Sequence, residues 1–100
     1  MIRHVVMWKL KDSAEGRSRE ENMELISKEL YALLPIIPEI KKMEIGADVK
    51  HTPASMDLML LSEFDSLETL AVYATHPAHV KVAEYVGKVT ESRVVLDSEI

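Results

Sequence analysis

The residues best suited to chemistry gather in one stretch, Tyr73-Ala74-Thr75-His76-Pro77-Ala78-His79-Val80. The chain has four histidines, and two of them fall here beside a tyrosine and a proline. An imidazole changes charge near neutral pH and can serve as a general base, oriented by a neighbouring ring or phenol. Proline lacks a backbone N–H and clashes with the preceding turn, so it is tolerated only where a helix begins. One helix therefore stops near Ala74 or Thr75 and another starts at Pro77. Such a break turns side chains out of the regular stripe and suits the wall of a pocket. The alternative is a capped kink whose histidines are satisfied at the surface.

A base needs partners, and the elements around this stretch decide which ones reach it. Residues 2–11 read as a strand, and period two puts His4, Val6, Trp8 and Leu10 on one face. After Pro77, His79, Val82, Ala83 and Val86 recur at helical spacing, so His79 lies on the apolar face and His76 does not. His4 and His79 are both expected to face the space between sheet and helices. Gly87 is read as the start of the exit from this helix, and residues 92–99 as the last strand.

The rest of the chain supplies the scaffold. Residues 17–34 show a helical pattern with Met23, Ile26 and Leu30 inward, ended by Pro35 and Pro38. Tyr31 could face either way. Residues 40–50 alternate, with Met43, Ile45, Ala47 and Val49 apolar and Gly46 marking a bulge or close approach. His51 lies in an exposed loop. Residues 56–64 form a strand that is apolar on both faces. Ser66 is a good N-cap, Glu68 suits the first helical turn, and Leu67, Leu70, Ala71 and Ala74 are read as inward.

The order β-α-β-β-α-β over residues 1–100 is that of a single α+β domain. It is the ferredoxin-like arrangement, a four-stranded antiparallel sheet with helices on one face. Helices can cover only that face, yet the strands over 2–11 and 56–64 are apolar on both. Val5, Met7, Met59 and Leu61 are left to a second surface. A homodimer packed sheet to sheet, a dimeric αβ barrel, is the expected solution.

Composition narrows the function classes. A net charge of −5 argues against nucleic acid, which needs clustered Lys and Arg. The chain has no Cys, which removes thiolate chemistry. No apolar run approaches the roughly 20 residues of a membrane span. The first residues lack a signal-peptide pattern, so a cytoplasmic protein is expected. No cofactor is expected, since Gly-rich phosphate loops, nucleophile elbows and HExxH patterns are missing. His76 and His79 lie on opposed faces without a third ligand, so no metal site is expected. Trp8 reads as core, and Met7, Met43, Met56 and Met59 as pocket and interface filler. Asp57, Glu63 and Asp97 read as solvated or Arg93-paired carboxylates.

Several segments together carry a family resemblance. They are Ile2-Arg3-His4-Val5-Val6 with Lys9-Leu10-Lys11, Ile37-Pro38, Met43-Glu44-Ile45-Gly46, Ser62-Glu63-Phe64, Tyr73-x-x-His76-Pro77-x-His79 and Val95-x-Asp97. In these the chain resembles the stress-responsive A/B barrel (Dabb) family along nearly its whole length. The resemblance implies a dimeric α+β barrel. Better understood members include heat-stable plant proteins linked to stress and a plant polyketide cyclase that performs an intramolecular aldol condensation. By that resemblance His79 is the candidate base, with Tyr73 and His4 as its companions. A further pocket tyrosine of the cyclase falls near Leu30, so that contact is missing here, and Tyr31 points about 100° away.

Two functions of different class are therefore carried forward. The first is a homodimeric binding or stress-related module, with a pocket for a small apolar or carbonyl ligand walled by Val6, Trp8, Leu30 and Val82. The second is a cofactor-independent lyase or cyclase on a carbonyl compound, with His79 as base, Tyr73 orienting it and His4 polarising the carbonyl. A satisfied buried network of the two histidines and the tyrosine is the purely structural alternative. Monooxygenases of related barrel fold form a third possibility on fold analogy alone.

Overall fold

Alternation in the first strand, β1 (Ile2–Leu10), sends Ile2, His4, Val6, Trp8 and Leu10 to one buried face. A computed structural model describes all 100 residues. The main sheet is antiparallel, in the order β4 (Lys42–Ala47), β5 (Leu58–Phe64), β1, β6 (Thr90–Glu99). Helices α1 (Arg19–Tyr31), α2 (Leu67–Thr75) and α3 (Pro77–Val89) pack against the buried face. This is the ferredoxin-like α+β fold expected from the sequence, with its second helix divided at Pro77.

A small hairpin, β2 (Ser13–Ala14) with β3 (Arg17–Ser18), occupies the place where the sequence suggested the start of α1. Its two-residue turn has positive φ at Glu15 (52°) and Gly16 (76°), the geometry that closes tight hairpins. Ser18 then opens α1 with a capping box: its hydroxyl accepts from the Glu21 N–H, and the Glu21 carboxylate accepts from the Ser18 N–H. Those two bonds hold the Glu21 carboxyl below its ordinary range. Asn22, fully buried, donates from its amide to the Ala14 carbonyl and accepts from the Tyr85 hydroxyl, tying hairpin, α1 and α3 together. The helix ends at Tyr31, before Pro35, and Tyr31 turns toward β4 to accept from the Ile45 N–H at 3.0 Å.

Several expectations are corrected. Leu67, Ala71 and Ala74 are exposed; Leu70 packs against the core as inferred, and Tyr73 is the fully buried residue beside it. Ser66 caps α2 as expected, its hydroxyl accepting from the Thr69 N–H. Gly87 does not end α3, which continues to the fully buried Val89. Strand β4 stops at Ala47, leaving Val49 89% exposed, and Gly46 pairs regularly with Met59 without a bulge.

The outer face of the sheet carries no helix. There Val5 sits between Leu61 and Leu96, and Met7 between Met59 and Val94. Leu96 is 65% exposed and Val94 51%. Strand β6 is exposed on its helix side as well, where Val95 is half uncovered and Arg93 reaches solvent. The helix layer thus covers β4, β5 and β1 and stops short of β6.

Candidate active site at the helix break

The break at Pro77 leaves backbone groups on both sides in need of partners. His76 ends α2 and caps α3, with its Nδ1 accepting from the Ala78 N–H at 3.1 Å. His79, one turn on, donates from Nδ1–H to the Ala74 carbonyl at 3.0 Å. The two histidines of the motif therefore have different tasks. His76 serves the start of α3, and His79 serves the last turn of α2. Because its proton is committed to Nδ1, His79 keeps the lone pair on Nε2.

Tyr73 is 1% exposed and lies between Phe64 and His79, with ring centroids 5.0 Å and 4.3 Å away. Its hydroxyl is buried and bonds to no protein group. Burial pushes the phenol up to about 12, opposed by the positive charge of Arg93, so it remains a proton donor at neutral pH. Burial also holds the His79 imidazole below its ordinary value. The bond to Ala74 opposes that shift, and charge at His4, Arg93 and His76 adds to it.

His4 enters from β1 and is nearly buried. Its Nδ1 bonds the Asp97 carboxylate, which the antiparallel register places directly opposite on β6. Its ring stands edge-on to Tyr73 at 6.4 Å. Asp97 is thus a partner of His4 and not of Arg93, while its side chain stays partly solvated. Glu63 likewise pairs with Arg3 at 3.1 Å, and Asp57 accepts from the Leu10 N–H at 2.8 Å.

His4, Tyr73 and His79 line one cavity of about 130 Å³. Val6, Trp8, Leu30 and Val82 form its apolar wall, joined by Leu60, Val86, Thr90 and Arg93. All seven side chains singled out in the sequence therefore meet at one place. An apolar cavity of about 150 Å³ holds benzene, so this one suits a ligand of comparable size. A wider groove of about 590 Å³ runs between α1 and α3 and shares Val82 and Val86 with it, but His4, Tyr73 and His79 do not reach it.

The satisfied network of two histidines and a tyrosine is not what forms. His4 bonds Asp97, His79 bonds a carbonyl, and Tyr73 contacts both only through ring faces and edges. Asp97 and Arg93 were the residues that sequence reasoning missed in their roles. Alternation along β6 puts both in phase with Val95, and pairing of the first and last strands is inherent in this fold. The register that sets Asp97 against His4 and Arg93 against Trp8 emerges only in three dimensions.

Residues 2–100 match the stress responsive A/B barrel domain. The chain belongs to this family. Olivetolic acid cyclase of Cannabis sativa is 29% identical over 98 residues, which cover 96% of this chain and 93% of the relative. A dimeric ferredoxin-like protein of unknown function from Bacteroides fragilis shares 33% identity. It superposes with a TM-score of 0.83, covering 99% of this chain and 95% of the other. Hydroxynitrile lyase from Passiflora edulis superposes with a TM-score of 0.82 at 22% identity, over 99% of this chain and 92% of that one, a likeness of fold. The proteins this chain is similar to thus include one named as a cyclase and one of unknown function.

Removing the Tyr73 hydroxyl separates a site from a structural network. A buried hydroxyl without a partner costs roughly 1–3 kcal/mol, so Tyr73→Phe should leave stability unchanged or raise it by about 1 kcal/mol in urea denaturation. Destabilisation by more than about 1 kcal/mol would show that the hydroxyl serves a native bond.

Proposed function

We propose that this A/B barrel protein is a homodimer whose helix-break cavity binds a small carbonyl compound and performs cofactor-independent acid–base chemistry on it. The observation that carries this reading is the pairing of a committed His79 Nδ1 with an unpartnered Tyr73 hydroxyl in the wall of one small cavity. His79 offers a neutral nitrogen with a free lone pair, and Tyr73 offers a donor that stays protonated. A purely structural pair would consume both groups.

In the proposed reaction His79 Nε2 removes a proton from the carbon next to the carbonyl. The C–H electron pair moves into the new carbon–carbon double bond, and the carbonyl pair moves onto oxygen. The Tyr73 hydroxyl donates a hydrogen bond to that oxygen, as an oxyanion donor does. The enolate carbon then attacks a second carbonyl, forming a carbon–carbon bond and an alkoxide, and the His79 imidazolium returns its proton to the alkoxide. The reverse sequence is a lyase. His4, held by Asp97 and lining the same cavity, polarises the second carbonyl. Tyr73 orients His79 by ring packing and keeps its hydroxyl for the substrate. Names of a cyclase and a lyase among the relatives are consistent with carbon–carbon bond chemistry in such a pocket.

The homodimer follows from the outer sheet face. Val5, Met7, Met59, Leu61, Val94 and Leu96 form a contiguous apolar surface. Burying such area contributes at about 25 cal/mol per Å² before association costs. Dimeric relatives such as the Bacteroides fragilis protein are consistent with it.

Proton abstraction is tested by deuterium exchange into the α carbon of butan-2-one in D₂O. The wild type should accelerate exchange, and the rate should fall as pH drops with a midpoint below 6.5, since the His79 value is lowered from that figure. His79→Gln should lose roughly 100-fold and Tyr73→Phe a comparable factor. Equal exchange by wild type and His79→Gln would sink the assignment. Sedimentation at micromolar concentration should give twice the 11.3 kDa chain mass, and Leu96→Lys should shift it to the monomer. A wild-type monomer would overturn the dimer.

A further inference from the structure

The cavity has a charge character unlike that of the protein as a whole. The chain carries a net charge of −5, yet no Asp or Glu lines the cavity. Its charged and titratable lining consists of Arg93, His4, His79 and the Tyr73 phenol. Arg93 stands on the helix side of β6, in register with Trp8. Its positive charge acts on both Tyr73 and His79, which places the guanidinium within electrostatic reach of the proposed reacting groups.

Arg93 also differs from the other arginines. Arg3 pairs with Glu63, Arg17 bonds the Tyr85 hydroxyl and lies over its ring, and Arg19 pairs with Asp12. Arg93 has no hydrogen bond and no carboxylate within ion-pair distance. Asp97, an acidic residue on its own strand face, is engaged by His4. A guanidinium presents a planar fork of donors that matches a carboxylate in two parallel bonds. At the edge of an apolar, partly desolvated cavity, that match counts for more than it does on an open surface.

We infer that the ligand of this cavity is an anionic carbonyl compound, a small oxo acid whose carboxylate is held by Arg93 while its carbonyl lies between Tyr73 and His79. The inference rests on the proposed carbonyl chemistry for its orientation, and on Arg93 alone for its charge. Arg93 is then a specificity-determining residue. A ligand of about benzene size leaves room for a carboxylate, a carbonyl and a few carbons.

Two isosteric probes test the charge directly, 4-oxopentanoate and its uncharged counterpart hexane-2,5-dione. Binding is read from amide shifts of cavity residues in ¹H–¹⁵N spectra, and deuterium exchange at the α carbons is followed in the same samples. The wild type should bind 4-oxopentanoate about tenfold more tightly, the scale of one charge-assisted contact. The preference should shrink as salt is raised. Arg93→Gln should abolish it without weakening hexane-2,5-dione, and Arg93→Lys should keep part of it. Equal affinities in the wild type, a preference that survives Arg93→Gln, or no shift with either probe would each overturn the inference. The two readings fail separately. Exchange without a carboxylate preference overturns the anion assignment and leaves proton transfer standing. A carboxylate preference without exchange supports the anion assignment and removes proton transfer.

Discussion

The bond from His79 Nδ1–H to the Ala74 carbonyl spans the break between two helices, and the rest of the candidate site depends on it. Pro77 creates the need, because a helix that stops leaves carbonyls without intrahelical donors. Meeting that need with a histidine has a chemical consequence that a serine or a backbone amide would not have. It assigns the ring proton to Nδ1 and points the lone pair elsewhere. The same break lets Tyr73 close the last turn of α2 against Phe64 and the His79 ring. A structural repair of the backbone thereby prepares a base.

The opposite wall is prepared by the sheet. β1 and β6 are antiparallel neighbours, so a residue near the start of one meets a residue near the end of the other. His4 opposite Asp97 is the result, and its Nδ1 is committed as firmly as that of His79. Both imidazoles are thus oriented from outside the cavity. Only the Tyr73 hydroxyl and the Trp8 indole N–H are left buried without partners among the side chains lining it. Unsatisfied buried donors cost stability, and proteins concentrate such costs at functional sites. The uncovered outer face has the same logic on a larger scale: a chain of this length exposes apolar surface that a second copy can bury.

Much of this was legible in the chain. Strand alternation placed His4 with Val6 and Trp8, and helical spacing placed His79 with Val82 and Val86, because both periods are set by covalent geometry. Proline chemistry located the break. What escaped depended on phase or on register. In α2 Leu70 was placed correctly, but Leu67, Ala71 and Ala74 are exposed, since their small and apolar side chains match a buried face as well as Tyr73 does. Gly87 resembled a helix end, but the buried Val86 and Val89 on either side hold α3 through it. The Ser13–Ser18 hairpin is too short to leave a period at all. Asp97 and Arg93 sit in an exposed-looking strand, and their importance lies in what the neighbouring strand and helices bring to them. No local pattern encodes that.

The central claim is that His79 presents a neutral imidazole with its lone pair on Nε2. Long-range ¹H–¹⁵N correlation spectra of the histidine rings across a pH series measure this directly. The account predicts the Nδ1–H tautomer for His79 at neutral pH, with protonation at Nε2 only below the ordinary value of 6.5. An Nε2–H tautomer, or a ring already charged at pH 7, would contradict it.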